Sequence, residues 1–365
     1  MSWAEQRARF PVTESHAYFN AGTFGPLSAA TLAAMGELRL WEGENGRGGM
    51  AYFQAMLDAR DRVRGLLAGQ LGVAAENVAL TDSTTQGVHV VVTGLGIGPG
   101  DEVVSTDVEH FGLTGPLVAA GASIRVARIR GLTGEAIFDA VRAQVTPATR
   151  LLALSAVSWL DGAVLPWREL QEETGLPVLV DGAQSVGAIA VDAAPADFYT
   201  VSAQKWLCGP DSTGSLYVRD PEALTPRLVG YPAAESYDIA ETTWQPKDGA
   251  LRFDPSFTPA SSLAGLEAAL IDLPEGRFER ARGLAEQCRE LLAAAGHEVV
   301  TAPGQATLVT FAAPGDSAED ATALYNLGIV LRELAGTGTL RASVGWWNDE
   351  SDLERLVDGL RQIAD

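Results

Sequence analysis

Through the middle of the chain, short apolar runs alternate with stretches in which apolar positions recur every three or four residues. Residues 77–81, 102–106, 123–129, 150–157, 177–180 and 215–218 form such runs, and 198–201 adds another apolar segment. Runs this short, with few polar interruptions, predict strands buried on both faces. The stretches between them, 138–144 and 167–174 included, keep the helical period. Strand and helix in alternation predict an α/β fold, a mainly parallel sheet covered by helices. Beyond residue 263 the pattern changes: Ala, Leu, Glu and Arg recur at helical spacing to 296, followed by a strand-like 307–311 and a final helix at 351–363. That predicts a smaller α+β C-terminal domain. The expected division is a large domain over 16–250 and a small domain built from 1–15 and 251–365. The stretch 230–259 joins them, with Tyr231, Tyr237 and Trp244 making it too aromatic for a loose linker.

Composition narrows the function classes. The chain has 365 residues, room for about two domains. Against 26 Lys and Arg stand 47 Asp and Glu, a formal net charge of −21. Such a surface lacks the clustered cations that nucleic acid requires, and it disfavours anionic membranes. No apolar run approaches the roughly 20 residues of a membrane span. The first residues carry both charge signs and no apolar stretch behind them, unlike a secretory leader. Two cysteines, Cys208 and Cys288, cannot build a disulfide framework and suit a cytoplasmic enzyme. The glycine-rich 94–100 resembles a dinucleotide loop, but Pro99 takes the third glycine's place and a strand follows. It reads as a helix exit and turn. There is no internal repeat, and no metal-ligand set is expected.

Candidate chemistry gathers at strand ends. Lys205 follows the apolar 198–201 segment and precedes a Gly-Pro turn. A lone lysine often snorkels to the surface, whereas one held in a cleft has a lowered pKa and forms Schiff bases. Asp181 closes the 177–180 strand and opens Asp181-Gly182-Ala183-Gln184. It can cap the following segment, or it can pair with a protonated pyridine nitrogen. An aspartate and a lysine at successive strand ends are the layout for pyridoxal phosphate. The turn Ser83-Thr84-Thr85-Gln86-Gly87 offers hydroxyls and backbone donors at a helix N-terminus, where the dipole favours a phosphate. His110, after the 102–106 strand, can lie flat on a cofactor ring. All four elements end at one edge of the sheet, where open α/β folds bind ligands.

Together with Tyr18-Phe19-Asn20-Ala21-Gly22, Glu109-His110, Gln204-Lys205-Trp206 and Leu340-Arg341-Ala342-Ser343, these residues identify a resemblance. The chain resembles the fold-type I, class V aminotransferase superfamily of pyridoxal-phosphate enzymes over nearly its whole length. That superfamily includes cysteine desulfurases, isopenicillin N epimerase and cysteine or cystine carbon–sulfur lyases. The resemblance implies that Lys205 holds the cofactor covalently, Asp181 keeps its ring nitrogen protonated, His110 stacks on the ring and Gln184 bonds its phenolic oxygen. It further implies that Thr84, Thr85, Ser202 and Gln204 bind the phosphate, with Gln204 replacing a histidine often found beside the lysine. Arg341 would clamp the substrate carboxylate, with Asn20 beside it. Such enzymes are usually homodimers with shared active sites; Thr258 is the candidate donor to a partner's phosphate, one residue out of register with the familiar Gly-Thr-Pro pattern.

Two departures bear on the reaction. Trp159 stands where desulfurases often carry an asparagine. The interval 331–340 before Arg341 contains no cysteine, whereas desulfurases carry a mobile-loop cysteine there. The expected activity is therefore a carbon–sulfur β-lyase on a cysteine-derived amino acid, giving a thiol or sulfur species, pyruvate and ammonia. A class V aminotransferase or an epimerase uses the same early chemistry and remains open. A non-catalytic binding or regulatory protein is the other alternative; a retired site has no physical reason to keep its buried charges.

Overall fold

The computed structural model describes residues 1–364. Its main sheet has seven strands in the spatial order Val78–Thr81, Gly214–Val218, Phe198–Ser202, Val178–Asp181, Thr149–Ser155, Glu102–Thr106 and Ser123–Ala127. Five of these pair in parallel, and Gly214–Val218 runs antiparallel to both its neighbours. The central strands are buried, Arg150 at the start of Thr149–Ser155 excepted, because helices cover both faces. Their apolar side chains split into two cores, one on each side, with Leu152, Leu154, Val178 and Val180 facing one and Leu151, Ala153 and Leu179 facing the other. The glycine-rich 94–100 segment ends the helix Thr84–Gly94 and turns into Glu102–Thr106, as a helix exit should.

A second unit carries its own core. The helices Arg277–Ala294, Ser317–Asn326 and Glu350–Ala364 accompany an antiparallel sheet ordered Leu308–Ala312, Thr339–Ser343, Arg332–Leu334. Phe311, Leu340, Leu353 and Leu356 fill the core, and Ala17 and Phe19 reach into it from the N-terminal segment. From packing we infer a boundary later than the expected 250. The helix Ala260–Ile271 buries Leu263, Leu266 and Leu270 in the core of the main sheet. We therefore place the change of domain at 272–276, where Pro274 and Gly276 interrupt the helical run. The stretch 230–259 is built as a hairpin, Ala234–Asp238 with Thr243–Pro246, followed by a buried Asp254. Among the described residues, no helix is long and apolar enough to cross a membrane.

Candidate active site

The carboxyl ends of the parallel strands open towards the small sheet. Asp181 is the last residue of its strand and is almost fully buried; its Oδ1 accepts a hydrogen bond from Ala183 N at 2.9 Å. The other carboxylate oxygen takes no hydrogen bond among the described residues. Lys205 lines the same small cavity, with His110, Ser155, Trp159 and Gln184. Its amine has neither a hydrogen-bond partner nor an ion pair among the described residues. Burial brings the Lys205 pKa down to about 8, with Arg341 and Arg332 adding to the fall and Asp181 opposing it. The lysine is held by its backbone: Gly25 packs so close that a Cβ there would lie 2.0 Å from the Lys205 carbonyl oxygen. Gly25 N also donates to the Gln204 carbonyl.

Gln184 is fixed at both ends, its Nε2 donating to Gly22 O and its Oε1 accepting from Trp206 Nε1, each at 2.9 Å. That leaves one amide N–H to offer a ligand. His110 caps the helix Phe111–Ala119, its Nδ1 accepting from Gly112 N at 3.0 Å. This bond assigns the proton to Nε2 and makes the ring neutral. Burial, then the charge of Lys205, holds its pKa below the usual histidine range. The ring stands edge-on to Trp159, centroids 5.3 Å apart.

The proposed phosphate set is only partly assembled. Thr84 begins the helix Thr84–Gly94, and its N–H donates to Ser202 Oγ at 3.2 Å, tying helix to strand end. Thr85 Oγ1 lies against Gly112, where a Cβ would come within 2.6 Å of it, so two helix N-termini converge here. Gln204 makes no side-chain bond to this group; its buried Oε1 lacks a partner, and the residue lines the groove of Tyr18, Phe24 and Arg39. Thr258 likewise has no bond to these residues. Its loop is anchored elsewhere, through Asp254 to Arg60 and Arg64 at 2.7 and 2.8 Å.

The opposite wall comes from the small sheet. Arg341 is 1% exposed. Its Nη1 donates to Trp159 O at 2.7 Å and its Nη2 to Thr23 Oγ1 at 3.5 Å, while Nε is buried without a partner. Asn20 bridges to Ser343 beside it, with its own Oδ1 unpartnered. Burial lowers the Arg341 pKa to about 9, and Arg332 adds to the fall. Arg332, which sequence reasoning missed, sits directly opposite Arg341 across the hairpin and also donates to Thr23 Oγ1, at 3.2 Å. Neither guanidinium has a carboxylate partner among the described residues. The signal lay in the short glycine-containing turn at 335–338, which pairs the two positions once read as a hairpin.

A mainly parallel sheet with lysine and aspartate at its carboxyl edge, closed by a small α+β domain, is the fold-type I architecture of pyridoxal-phosphate transferases. The class-V aminotransferase pattern matches residues 17–356, and the chain belongs to that family. The cysteine desulfurase of Haloferax volcanii is 29% identical in an alignment 336 positions long that covers 83% of this chain and 78% of that protein. A complex of the cystine C–S lyase C-DES with its reaction product cysteine persulfide superposes with a TM-score of 0.89. It is 28% identical over 96% of this chain and 98% of that one. A C-DES mutant with glycine covalently linked to the PLP cofactor also gives 0.89, at 27% identity over 97% and 98%.

Proposed function

We propose that the chain is a pyridoxal-phosphate-dependent carbon–sulfur β-lyase acting on a cysteine-derived amino acid. The observation that carries the reading is an unpartnered Lys205 amine and an Asp181 carboxylate with one free oxygen in one cavity, together with a cysteine-free hairpin at 332–343. The residues present suit the cofactor. An amine, a carboxylate oxygen and a Gln184 N–H stand free around the cavity, with the helix N-terminus at Thr84 beside it. Lys205 would bind it covalently, Asp181 would hold the ring proton, Gln184 would bond the phenolic oxygen, and Thr84, Thr85 and Ser202 would hold the phosphate. Thr258 has no bond to these groups within its own chain, which favours the reading that Thr258 of the partner subunit completes the phosphate site in a homodimer. When bound, the cofactor withdraws electrons from the substrate's α-carbon.

The chain's own groups would do the rest. Arg341 orients the α-carboxylate, the Lys205 amine removes the α-proton and neutral His110 covers one face. The Cβ–S bond breaks; with one water, R–S–CH2–CH(NH3+)–COO− yields R–SH, pyruvate and ammonium. Desulfurase chemistry needs a thiolate to take the sulfur. Both cysteines are instead buried and their thiols pushed up, Cys288 to about 12. Arg332 favours substrates with a second anionic group beyond the sulfur, as in cystine. The two buried free thiols suit a reducing cytoplasm. Steady release of pyruvate from cystine, with no keto acid added, is the expected result. Alanine as product would make it a desulfurase, and one turnover that resumes only on adding a keto acid would make it an aminotransferase. Loss of the α-hydrogen's label without pyruvate would make it an epimerase.

A further inference from the structure

One half-buried carboxyl beside the cavity has no part in that chemistry. Glu109 lies in the connection between the strand Glu102–Thr106 and the helix Phe111–Ala119, one residue before His110. Its side chain crosses to the neighbouring strand's end. There Oε2 accepts from Ser155 N at 3.0 Å and, in a very short bond, from Ser155 Oγ, while Oε1 accepts from Thr106 Oγ1 at 2.8 Å. Ser155 lines the cavity and is the register partner of Asp181. A single carboxyl thus bolts the His110 loop to the strand pair that presents Asp181.

The arrangement is expensive. Burial pushes the Glu109 pKa up to about 7 against the pull of three hydrogen bonds, and Asp181 adds to the rise. The loop's far side is held separately, by Gly112 N on His110 Nδ1 and by the edge of Trp159. The start of the loop is pinned to the outer strand by Asp107 N on Ala127 O and Ile129 N on Asp107 Oδ1, so Glu109 is what ties the loop to Ser155 and the Asp181 side.

We propose that Glu109 is a positioning residue that fixes the His110 imidazole over the Asp181–Lys205 cavity by bridging to Ser155. Glutamine can make the same bridge, its oxygen towards both Ser155 donors and its amide towards the Thr106 hydroxyl. Alanine cannot. The kinetic arm of the test rests on the lyase reading; the other does not. The protein has four histidines, and the His110 resonance is assigned by its loss in His110→Asn. In the wild type His110 titrates below the usual range. Glu109→Ala should bring it back towards about 6.5, with kcat falling at least about tenfold at unchanged KM, while Glu109→Gln should match the wild type in both. Should Glu109→Ala not fold, Ser155→Ala, which removes one donor and keeps the backbone N–H, should move the His110 titration the same way by less. An unmoved His110 titration in Glu109→Ala, or in the fallback Ser155→Ala, overturns the proposal, and so does a Glu109→Gln variant as impaired as Glu109→Ala. If the chain proved not to be a lyase, the contrast in His110 titration would still stand.

Discussion

Two pairs of arginines occupy different regions of this molecule. Arg60 and Arg64 are buried beneath the 254–258 loop, and both bond to Asp254, which also accepts from Leu80 N at 2.7 Å. Arg341 is as deeply buried, yet it and Arg332 share only a threonine hydroxyl and a carbonyl. A buried guanidinium without an acid costs several kcal/mol, and like charges placed directly across a hairpin add to that. The first pair holds structure together. The second holds charge in reserve at the mouth of a cleft, where an incoming carboxylate relieves the strain that the fold tolerates. Arg341 matches the first pair in residue type and burial, while Arg332 is exposed at the rim; the missing acid separates a scaffold from a binding site.

The most damaging way to test that contrast is to remove the acid from the paired site. Asp254→Asn leaves two buried guanidinium groups short of their counter-charge, and stability should fall by about 3–5 kcal/mol. Urea unfolding measures it, and the surviving folded fraction should keep the wild-type KM. A loss below about 1 kcal/mol would mean that the pair is as loosely compensated as the cleft arginines.

The cleft pair should behave in the opposite sense. Arg341→Ala removes a charge-assisted contact to the substrate, so kcat/KM should drop about 10²-fold. Stability should hold or rise, because an unpaired buried charge has gone. Arg332→Ala should cost about tenfold, and only on substrates with a second anionic group; cystine against an S-alkyl cysteine is the decisive pair. Equal losses on both would place Arg332 on the α-carboxylate beside Arg341.

The same contrast explains what the sequence made legible. Asp181, His110 and Lys205 each follow a strand that is buried on both faces, so an apolar run points at them directly. The strands over 102–106, 123–129 and 150–157 were found within a few residues for that reason. Arg332 and Thr23 meet only through a hairpin register and the docking of an N-terminal segment, and no local pattern records such a meeting. Gln204 is less direct: its motif position beside the lysine suggests a phosphate ligand, while in the structure the residue lines the Tyr18 groove and its buried Oε1 has no partner. The helices Ala29–Asn45 and Met50–Leu71 escaped a sequence reading because their apolar residues are spread around the helix without a clean stripe. The later boundary that we infer for the small domain has a related reason. The helix Ala260–Ile271 is apolar on much of its surface, and only packing shows which core it joins.

The smallest expected effect is also the most direct reading of the reserved charge. Lys205 must be neutral to attack an aldehyde, and with its pKa at about 8 the neutral fraction grows as pH rises through that value. The rate of pyridoxal phosphate uptake by cofactor-free protein should therefore climb about fourfold from pH 7.5 to a plateau above pH 9. Visible absorbance follows it. Arg332 is one of the cations that disfavour the protonated amine. Arg332→Ala should therefore shift the midpoint upwards, towards the 10.5 of a free lysine. Arg60 and Arg64 are not among the charges that act on the amine, so in Asp254→Asn the midpoint should stay where it is. A wild-type midpoint near 10.5 would mean that Lys205 is solvated, and the cleft would then lose its claim to differ from an ordinary charged surface.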